Sequence, residues 1–121
     1  MLKTSSSKFS PAVLAAVAEY FKVLSEVSRL QILSCLSSKA MNVTEIAEAT
    51  GLGQANLSKH LKVLTQAGIL SRQPSGVSVY YEVNDPMIFE LCELVCDRLS
   101  DQLQQQAQKF EQFKAFNTSS N

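Results

Sequence analysis

The sequence predicts a mainly α-helical fold that carries one β-hairpin, and three observations favour it. Residues 42–66 have the pattern of two short helices joined by a glycine turn. Residues 69–83 contain two runs of strand-forming side chains around a Pro-Ser-Gly turn. Apolar side chains then recur at helical spacing from residue 88 to residue 113, as expected of one long final helix. Two helices, a tight turn and a following hairpin describe a winged helix-turn-helix.

Length and composition indicate one domain. The chain has 121 residues and 45% hydrophobic content, which suits a single core. We expect this domain to span residues 10–116, with a flexible N-terminus at 1–9 and a flexible tail at 117–121. No apolar run approaches the ~20 residues that cross a bilayer, and the N-terminus lacks the apolar core of a secretory signal. We therefore expect a cytoplasmic protein with no membrane partner.

Two helices are expected before the helix-turn-helix. Ser10 and Pro11 suit the cap and the first position of a helix that runs to about residue 24. Its expected buried side chains are Val13, Leu14, Val17, Phe21 and Leu24. Ser25 is the expected cap of a second helix that ends among residues 37–39. The apolar stripe expected on that helix is Leu30, Leu33 and Leu36.

The helix-turn-helix itself is predicted from local signals. Asn42 and Glu45 have the spacing of a capping box at the start of its first helix. Gly51 and Gly53 then stop that helix and turn the chain. The second helix buries a stripe made of Leu57, Leu61 and Leu64.

The opposite face of this second helix is polar and carries no acid. Lys59, Lys62 and Gln66 lie on this face, with Gln54, Asn56 and Ser58 on its flanks. All of them except Gln66 are candidate DNA contacts. The sequence contains no Asp or Glu from residue 51 to residue 81, although the formal net charge of the chain is zero. A local positive patch on a neutral chain favours a binder whose affinity comes from a dimer and from shape rather than from overall charge. We predict that this helix lies in a DNA major groove.

The hairpin is interpreted as a wing. A strand is expected at residues 69–72, a turn at 74–76 and a second strand at 77–83. One face of the second strand should carry Val77, Val79, Tyr81 and Val83. The residues that would approach a phosphate backbone or a minor groove are Arg72, Ser75, Gly76 and Ser78. The alternative is a hairpin that only covers the core.

The final helix is expected to form a dimer interface. Asp85 and Pro86 suit its start, and it should end near Phe113 after roughly 40 Å. Its heptad-like seam, with one polar break, is Phe89, Cys92, Cys96, Leu99, Leu103, Gln106, Phe110 and Phe113. A second line, expected to face the chain's own core, is Ile88, Leu91, Val95 and Leu99. A helix of this length with two apolar faces implies a homodimer.

Several motifs carry a family resemblance. Residues 57–70 read LSKHLKVLTQAGIL, and FKVLS at 21–25, RLQIL at 29–33 and VYY at 79–81 accompany them. With these motifs, over about residues 20–96, the chain resembles the arsenic-repressor (ArsR/SmtB) family of bacterial winged-helix regulators. The resemblance implies a dimeric transcriptional repressor that leaves its double-stranded DNA operator when an inducer binds. It also implies contacts to base edges or phosphates from Gln54, Asn56, Ser58 and Lys59.

His60 lies on the shoulder of the recognition helix, nearer the leucine stripe. We include it among the DNA-binding candidates, with helix packing or a position next to a phosphate as its expected role rather than metal ligation. It is the only histidine in the sequence, which excludes a multi-histidine metal site within one chain.

The metal positions of the resembling family are not intact in this chain. The family's Cys-x-Cys pattern is replaced by Asn42-Val43-Thr44, which has no thiol. Asp85 matches the first position of the family's zinc site on the last helix, but Met87 and Arg98 stand where histidines would be. A guanidinium cannot be a metal ligand, so no cofactor is certain.

The candidate inducer site consists of cysteines. Cys92 and Cys96 lie four residues apart on one helix face. They suit a thiophilic ion such as As(III), Zn, Cd or Cu(I), or oxidation by reactive sulfur or oxygen species. Cys35 is a further candidate, one residue beyond the position that sulfur-sensing members of the family use. The alternative is that all three are small apolar residues without a sensing role.

No enzyme is predicted. The cysteines do not form a C-x-x-C pair, and no nucleophile–base–acid set is evident in the sequence. The other alternative is a winged-helix protein–protein interaction module that does not bind DNA. An acidic or apolar exposed face on the second helix of the helix-turn-helix would favour that alternative, whereas the acid-free polar face favours DNA.

Overall fold

The computed structural model describes residues 9–119, and side chains as far as Asn117. These residues form two compact units that divide between Asp85 and Pro86. The first unit contains α1 (Pro11–Val23), α2 (Val27–Cys35), β1 (Met41–Asn42), α3 (Val43–Thr50), α4 (Gln54–Gln66), β2 (Leu70–Ser75) and β3 (Ser78–Val83). The second unit contains α5 (Met87–Ser119). Apart from Phe9, the segment 1–9 that was expected to be flexible lies outside the described residues.

Helix α1 begins as the sequence predicts but does not bury its apolar face. The Ser10 hydroxyl caps it by accepting a hydrogen bond from the Val13 amide, and Pro11 is its first residue. The expected buried side chains Val13, Leu14, Val17 and Phe21 are 41–53% exposed, so that expectation is wrong for them. Apolar spacing indicates a face that favours burial, but it does not specify which surface covers that face.

Helix α2 differs from the prediction at both ends. Its N-cap is Glu26, because the Ser25 hydroxyl instead donates a hydrogen bond of 2.7 Å to the Lys22 carbonyl at the end of α1. The helix ends at Cys35, before residues 37–39. Its buried stripe is Arg29, Ile32, Leu33 and Leu36, while Leu30 is 39% exposed. The stripe is therefore rotated from the predicted one, and it includes a buried cation.

Helices α3 and α4 form the predicted helix-turn-helix. Asn42 and Glu45 make a complete capping box, with two reciprocal hydrogen bonds of 2.9 Å. Gly51 ends α3 with a left-handed φ of 75°, a conformation that glycine adopts without steric cost. Ile46 and the three leucines predicted on α4 are at most 2% exposed. The core of this unit therefore lies on the inner faces of α2, α3 and α4.

A three-stranded antiparallel sheet follows, with strand order β1-β3-β2. Strand β1, which the sequence did not predict, pairs Met41 with Tyr81 and Asn42 with Tyr80. The hairpin turn is shorter than predicted, because β2 continues to Ser75 and pairs it with Ser78. The two turn residues are Gly76 and the fully exposed Val77, which was expected in the strand.

Helix α5 has 33 residues and is about 50 Å long. It begins directly after Pro86 and continues past Phe113 to Ser119, so residues 117–119 are helical. Residues 120 and 121 of the expected tail lie outside the described residues. Val95 and Leu99, expected on a second buried line, are 49% and 54% exposed. No helix in the described part of the chain is long and apolar enough to cross a membrane.

Candidate nucleic-acid interface

The outer face of α4 is polar because its leucines point inward. Leu57, Leu61 and Leu64 are buried against the core. With that stripe buried, the exposed polar side chains of the helix are Gln54, Asn56, Ser58, Lys59, Lys62 and Gln66. All of them except Gln66 were predicted to contact DNA, and they lie on the accessible surface of α4.

The wing and α4 share a cleft. A cavity of about 200 Å³ is lined by Val43, Ser58, Leu61, Lys62, Thr65, Gln66, Arg72 and Tyr81. Lys62 from α4 and Arg72 from β2 therefore lie on the same cleft, and Arg72 is held opposite Tyr81 by the antiparallel register. The Thr65 hydroxyl is buried and has no hydrogen-bond partner among the described residues. The cleft therefore combines two cations with hydroxyl groups.

The wing tip is small and uncharged. Ser75 and Ser78 face each other across the turn, and Gly76 adopts a φ of 63°. Val77 projects from the tip and is fully exposed. Val77, which the sequence predicted in the strand, is instead a residue of the tip. The Gly76-Val77 pair between two serines was the available signal, since two-residue hairpin turns favour glycine.

The cations of this surface are unneutralised. Within the described part of the chain, no ion pair engages Lys59, Lys62 or Arg72. The sequence also has no acid between residues 51 and 81. The surface can therefore offer positive charge and hydrogen-bond donors to a polyanion without first breaking internal pairs.

His60 does not share the exposed face. It is 7% exposed, and its Nδ1 accepts a hydrogen bond of 3.2 Å from Arg29 Nε. Its Nε2 lies 3.9 Å from Glu26 Oε1. This burial agrees with the helix-packing interpretation, and it excludes His60 from the exposed polar face of α4.

Arg29 is a buried residue that the sequence analysis missed. It is 8% exposed and makes three contacts: to His60, to the Val23 carbonyl at 3.1 Å and to Glu26 at 3.2 Å. The available signal was its position three and four residues before Ile32 and Leu33, on the buried stripe of α2. We refer to Glu26, Arg29 and His60 as the α2–α4 cluster.

The three cysteines are free thiols in two different settings. Cys35 is half-buried at the end of α2, where its Sγ donates to the Ile32 carbonyl at 3.2 Å. Burial raises the pKa of the Cys35 thiol, against a smaller opposing effect of a backbone hydrogen bond. Cys92 and Cys96 are exposed on α5, one helical turn apart. Among the described residues, no group of three or more His, Cys, Asp or Glu side chains could hold a metal ion.

Comparison with known proteins assigns a family to this architecture. Residues 26–72 match the sequence pattern described as bacterial regulatory protein, arsR family. That segment begins at the N-cap of α2 and ends at Arg72 in the wing, so it contains the α2–α4 cluster and the whole polar face of α4.

Curated relatives include transcriptional repressors. The chain is 28% identical over 85 residues to the transcriptional repressor SmtB homologue of Synechocystis, covering 70% of this chain and 64% of that protein. It is 33% identical over 79 residues to the repressor PagR of Bacillus anthracis, with 64% and 79% covered. A probable mercury resistance operon repressor of Streptomyces lividans is 30% identical over 77 residues, with 64% and 62% covered. The chain spans only 58% to 66% of the length of several such relatives.

Solved structures share the fold. The crystal structure of Mycobacterium tuberculosis Rv0081 superposes with a TM-score of 0.73 at 30% identity, covering 82% of this chain and 99% of that one. The solution structure of Mb0332 from Mycobacterium bovis superposes with a TM-score of 0.67 at 32% identity, covering 76% and 85%. The latter is described as a homodimeric winged helix-turn-helix DNA-binding domain and a possible ArsR-family regulator.

Proposed function

Because the chain belongs to the arsR family of bacterial regulatory proteins, we propose that it is a homodimeric, sequence-specific DNA-binding repressor. An inducer acting on thiols of α5 releases it from its operator. The observation that supports DNA binding is the cleft lined by both Lys62 and Arg72, beside the exposed polar face of α4. A DNA-binding repressor of a bacterium acts in the cytoplasm, and residues 10–116 form its functional domain.

The chemistry of α4 suits a major groove. Amide side chains such as those of Gln54 and Asn56 pair with adenine edges, and a lysine such as Lys59 pairs with guanine or a phosphate. Lys62 and Arg72 face the phosphate backbone from the helix and from the wing. The wing tip is narrow because Gly76 makes a tight turn. It extends from the phosphate backbone towards the minor groove. The protein–protein alternative lacks a comparable feature, since this face is neither apolar nor acidic.

Two helices with exposed apolar faces support the homodimer. On α1, Leu14 and Phe21 are 52% and 53% exposed, and on α5 the apolar side chains from Leu94 to Phe116 are 49–72% exposed. Apolar surface on this scale is uncommon on a monomer and is usually covered by a partner. A two-fold dimer presents two α4 helices to successive major grooves, about 34 Å apart. The operator is therefore an imperfect palindrome.

The inducer site that we propose is the pair Cys92 and Cys96. Their Cβ atoms lie about 6 Å apart at this helical spacing, and both thiols are exposed. If two copies of α5 pair along the seam, four thiols come together, which suits a thiophilic metal or metalloid ion or oxidation by reactive sulfur or oxygen species. A relative described as a mercury resistance repressor supports the thiophilic-ion form. Cys35, whose raised pKa disfavours the thiolate, has at most a secondary part.

A selection experiment tests this function. The purified protein is incubated with a random-sequence pool of duplex DNA, and bound duplexes are recovered over several rounds and sequenced. We expect an enriched palindromic motif with half-sites one helical turn apart, bound by one dimer. A pool that shows no enrichment, or a selected duplex bound no more tightly than its scrambled version, contradicts the proposal.

A further inference from the structure

The α2–α4 cluster connects three elements of the first unit through one buried arginine. Arg29 on α2 donates through Nε to His60 on the recognition helix α4, and through Nη1 to the Val23 carbonyl in the last turn of α1. Its Nη2 pairs with Glu26 in the turn between α1 and α2. Arg29 and His60 are 8% and 7% exposed, so water does not readily replace these bonds.

The direction of the Arg29–His60 hydrogen bond fixes the protonation state of the imidazole. A guanidinium has only donors, so His60 Nδ1 must be the acceptor and carry no proton. The proton of the neutral ring then lies on Nε2, on the side of Glu26 Oε1. The cluster as observed therefore requires neutral His60.

Protonation of His60 is incompatible with this arrangement. A proton on Nδ1 would place two N–H donors against each other at a distance of 3.2 Å, next to a second positive charge. Two charged groups face His60, namely Arg29 from α2 and Glu26 from the turn before it. A cationic imidazole would repel the guanidinium and so break the hydrogen bond that joins Arg29 to α4. It would also attract the Glu26 carboxylate away from Arg29.

We infer that Arg29 and His60 are positioning residues, and that their hydrogen bond is a pH-sensitive link that holds the recognition helix in its DNA-binding position. The inference rests on the proposed function, because it describes how α4 is held for DNA. Neither side chain belongs to the exposed face that contacts DNA. Histidine is the side chain whose ordinary charge change falls between about pH 5 and 8, and a proton on Nδ1 removes the acceptor of this link.

The direction in which DNA affinity changes with pH distinguishes this link from a general effect of added positive charge. Protonating a histidine adds positive charge, which by itself strengthens binding to the DNA backbone. We predict the opposite, a loss of affinity for a selected duplex on the order of tenfold between pH 7.5 and 5.5, as for one lost hydrogen bond to a charged group. Fluorescence anisotropy at constant ionic strength measures it.

Three variants separate positioning from folding. His60→Asn offers an amide oxygen near the position of Nδ1 and does not titrate, so it should bind within about threefold of the wild type at pH 7.5. Its affinity should then stay flat on acidification. His60→Ala and Arg29→Lys should bind more weakly at pH 7.5 and show the same flat profile. Circular dichroism at each pH verifies that each protein is folded.

A measurement on the unmodified protein avoids any folding defect. Because the sequence has one histidine, its ¹⁵N imidazole resonances belong to His60. They should report the Nε2–H tautomer at pH 7.5, and the resonance of the Arg29 Nε–H should shift over the pH range in which DNA affinity falls.

Specific outcomes overturn the inference. They are a wild-type affinity that is constant or rises on acidification, a His60→Asn profile that matches the wild type, or an Nδ1–H tautomer at pH 7.5. A different result contradicts the proposed function. If the protein binds no selected duplex at pH 7.5, both DNA binding and this inference are wrong. Tight binding at pH 7.5 with no pH dependence contradicts only the link.

Discussion

Lys62 on α4 and Arg72 on β2 line the same cleft, although they lie on different elements of the helix-turn-helix and the wing. Two features place both cations there. The strand register sets Arg72 opposite Tyr81, and the burial of Leu61 on α4 leaves the neighbouring Lys62 exposed. The cleft therefore joins the candidate major-groove helix to the candidate backbone-contacting wing.

Removing the cations of this surface should weaken DNA binding and reduce its salt dependence. Lys59→Ala, Lys62→Ala and Arg72→Ala should each lower the affinity for a selected duplex several-fold. If the lost contact is to a phosphate, the slope of log K against log salt should become shallower by about one. The measurement is anisotropy at several salt concentrations.

The matched control for these variants is Lys39→Ala, since Lys39 is an exposed cation outside the surface. It should leave affinity and slope unchanged. Equal effects at all four positions would mean that binding follows overall charge, and the groove assignment would then be wrong.

A charge placed on the long helix should dissociate the dimer without unfolding the chain. Leu103 is 65% exposed in the single chain, so Leu103→Asp costs the monomer little. Across a two-fold seam it buries two carboxylates, which should raise the dimer dissociation constant by at least about tenfold. Sedimentation equilibrium measures the change.

Val77→Asp is the control for the dimer, because Val77 is an equally apolar exposed residue on the wing tip. It should leave the dimer intact. A dimer that survives Leu103→Asp unchanged would argue that the seam on α5 is not the interface.

The two thiols of α5 should carry the inducer response. A Cys92→Ser/Cys96→Ser protein should bind the selected duplex normally, but it should no longer be released by arsenite, zinc, copper(I), polysulfide or peroxide, whichever releases the wild type. Cys35→Ser is the control and should respond as the wild type does. If the double variant keeps the full inducer response, Cys92 and Cys96 have no sensing role.

Cys35 should react slowly with alkylating agents, because burial raises the pKa of its thiol from a reference value of 9.0. The Cys92→Ser/Cys96→Ser protein isolates this thiol, since the sequence has three cysteines. Its alkylation rate should be lower in the folded protein than in urea. The folded rate should also continue to rise at alkaline pH after the unfolded rate has levelled off. Equal rates in the two states would contradict the effect of burial.

Features that depend on neighbouring residues could be predicted from the sequence. The Asn42–Glu45 capping box, the turn at Gly51 and the polar face of α4 all follow from spacings within a few residues, and the structure confirms them. The polar face of the candidate interface was predicted for the same reason, because burying Leu57, Leu61 and Leu64 fixes which side of α4 is exposed.

Features that depend on distant partners were missed. Strand β1 has two residues and exists only through pairing with β3. Arg29 can be buried because His60, 31 residues away, and the Val23 carbonyl accept its hydrogen bonds. The apolar spacing of α1 predicted a buried face, but Leu14 and Phe21 are 52% and 53% exposed. In each case the deciding group lies outside the local sequence window.

The most direct test of the account is binding of the wild-type protein to a palindromic duplex selected from a random pool, compared with a scrambled duplex of the same composition. We predict a preference of at least about a thousandfold for the selected duplex at physiological salt, a stoichiometry of one dimer per duplex and a steep decrease of affinity with salt. Equal affinity for the two duplexes, or binding by the monomer, would contradict the proposed operator-binding repressor.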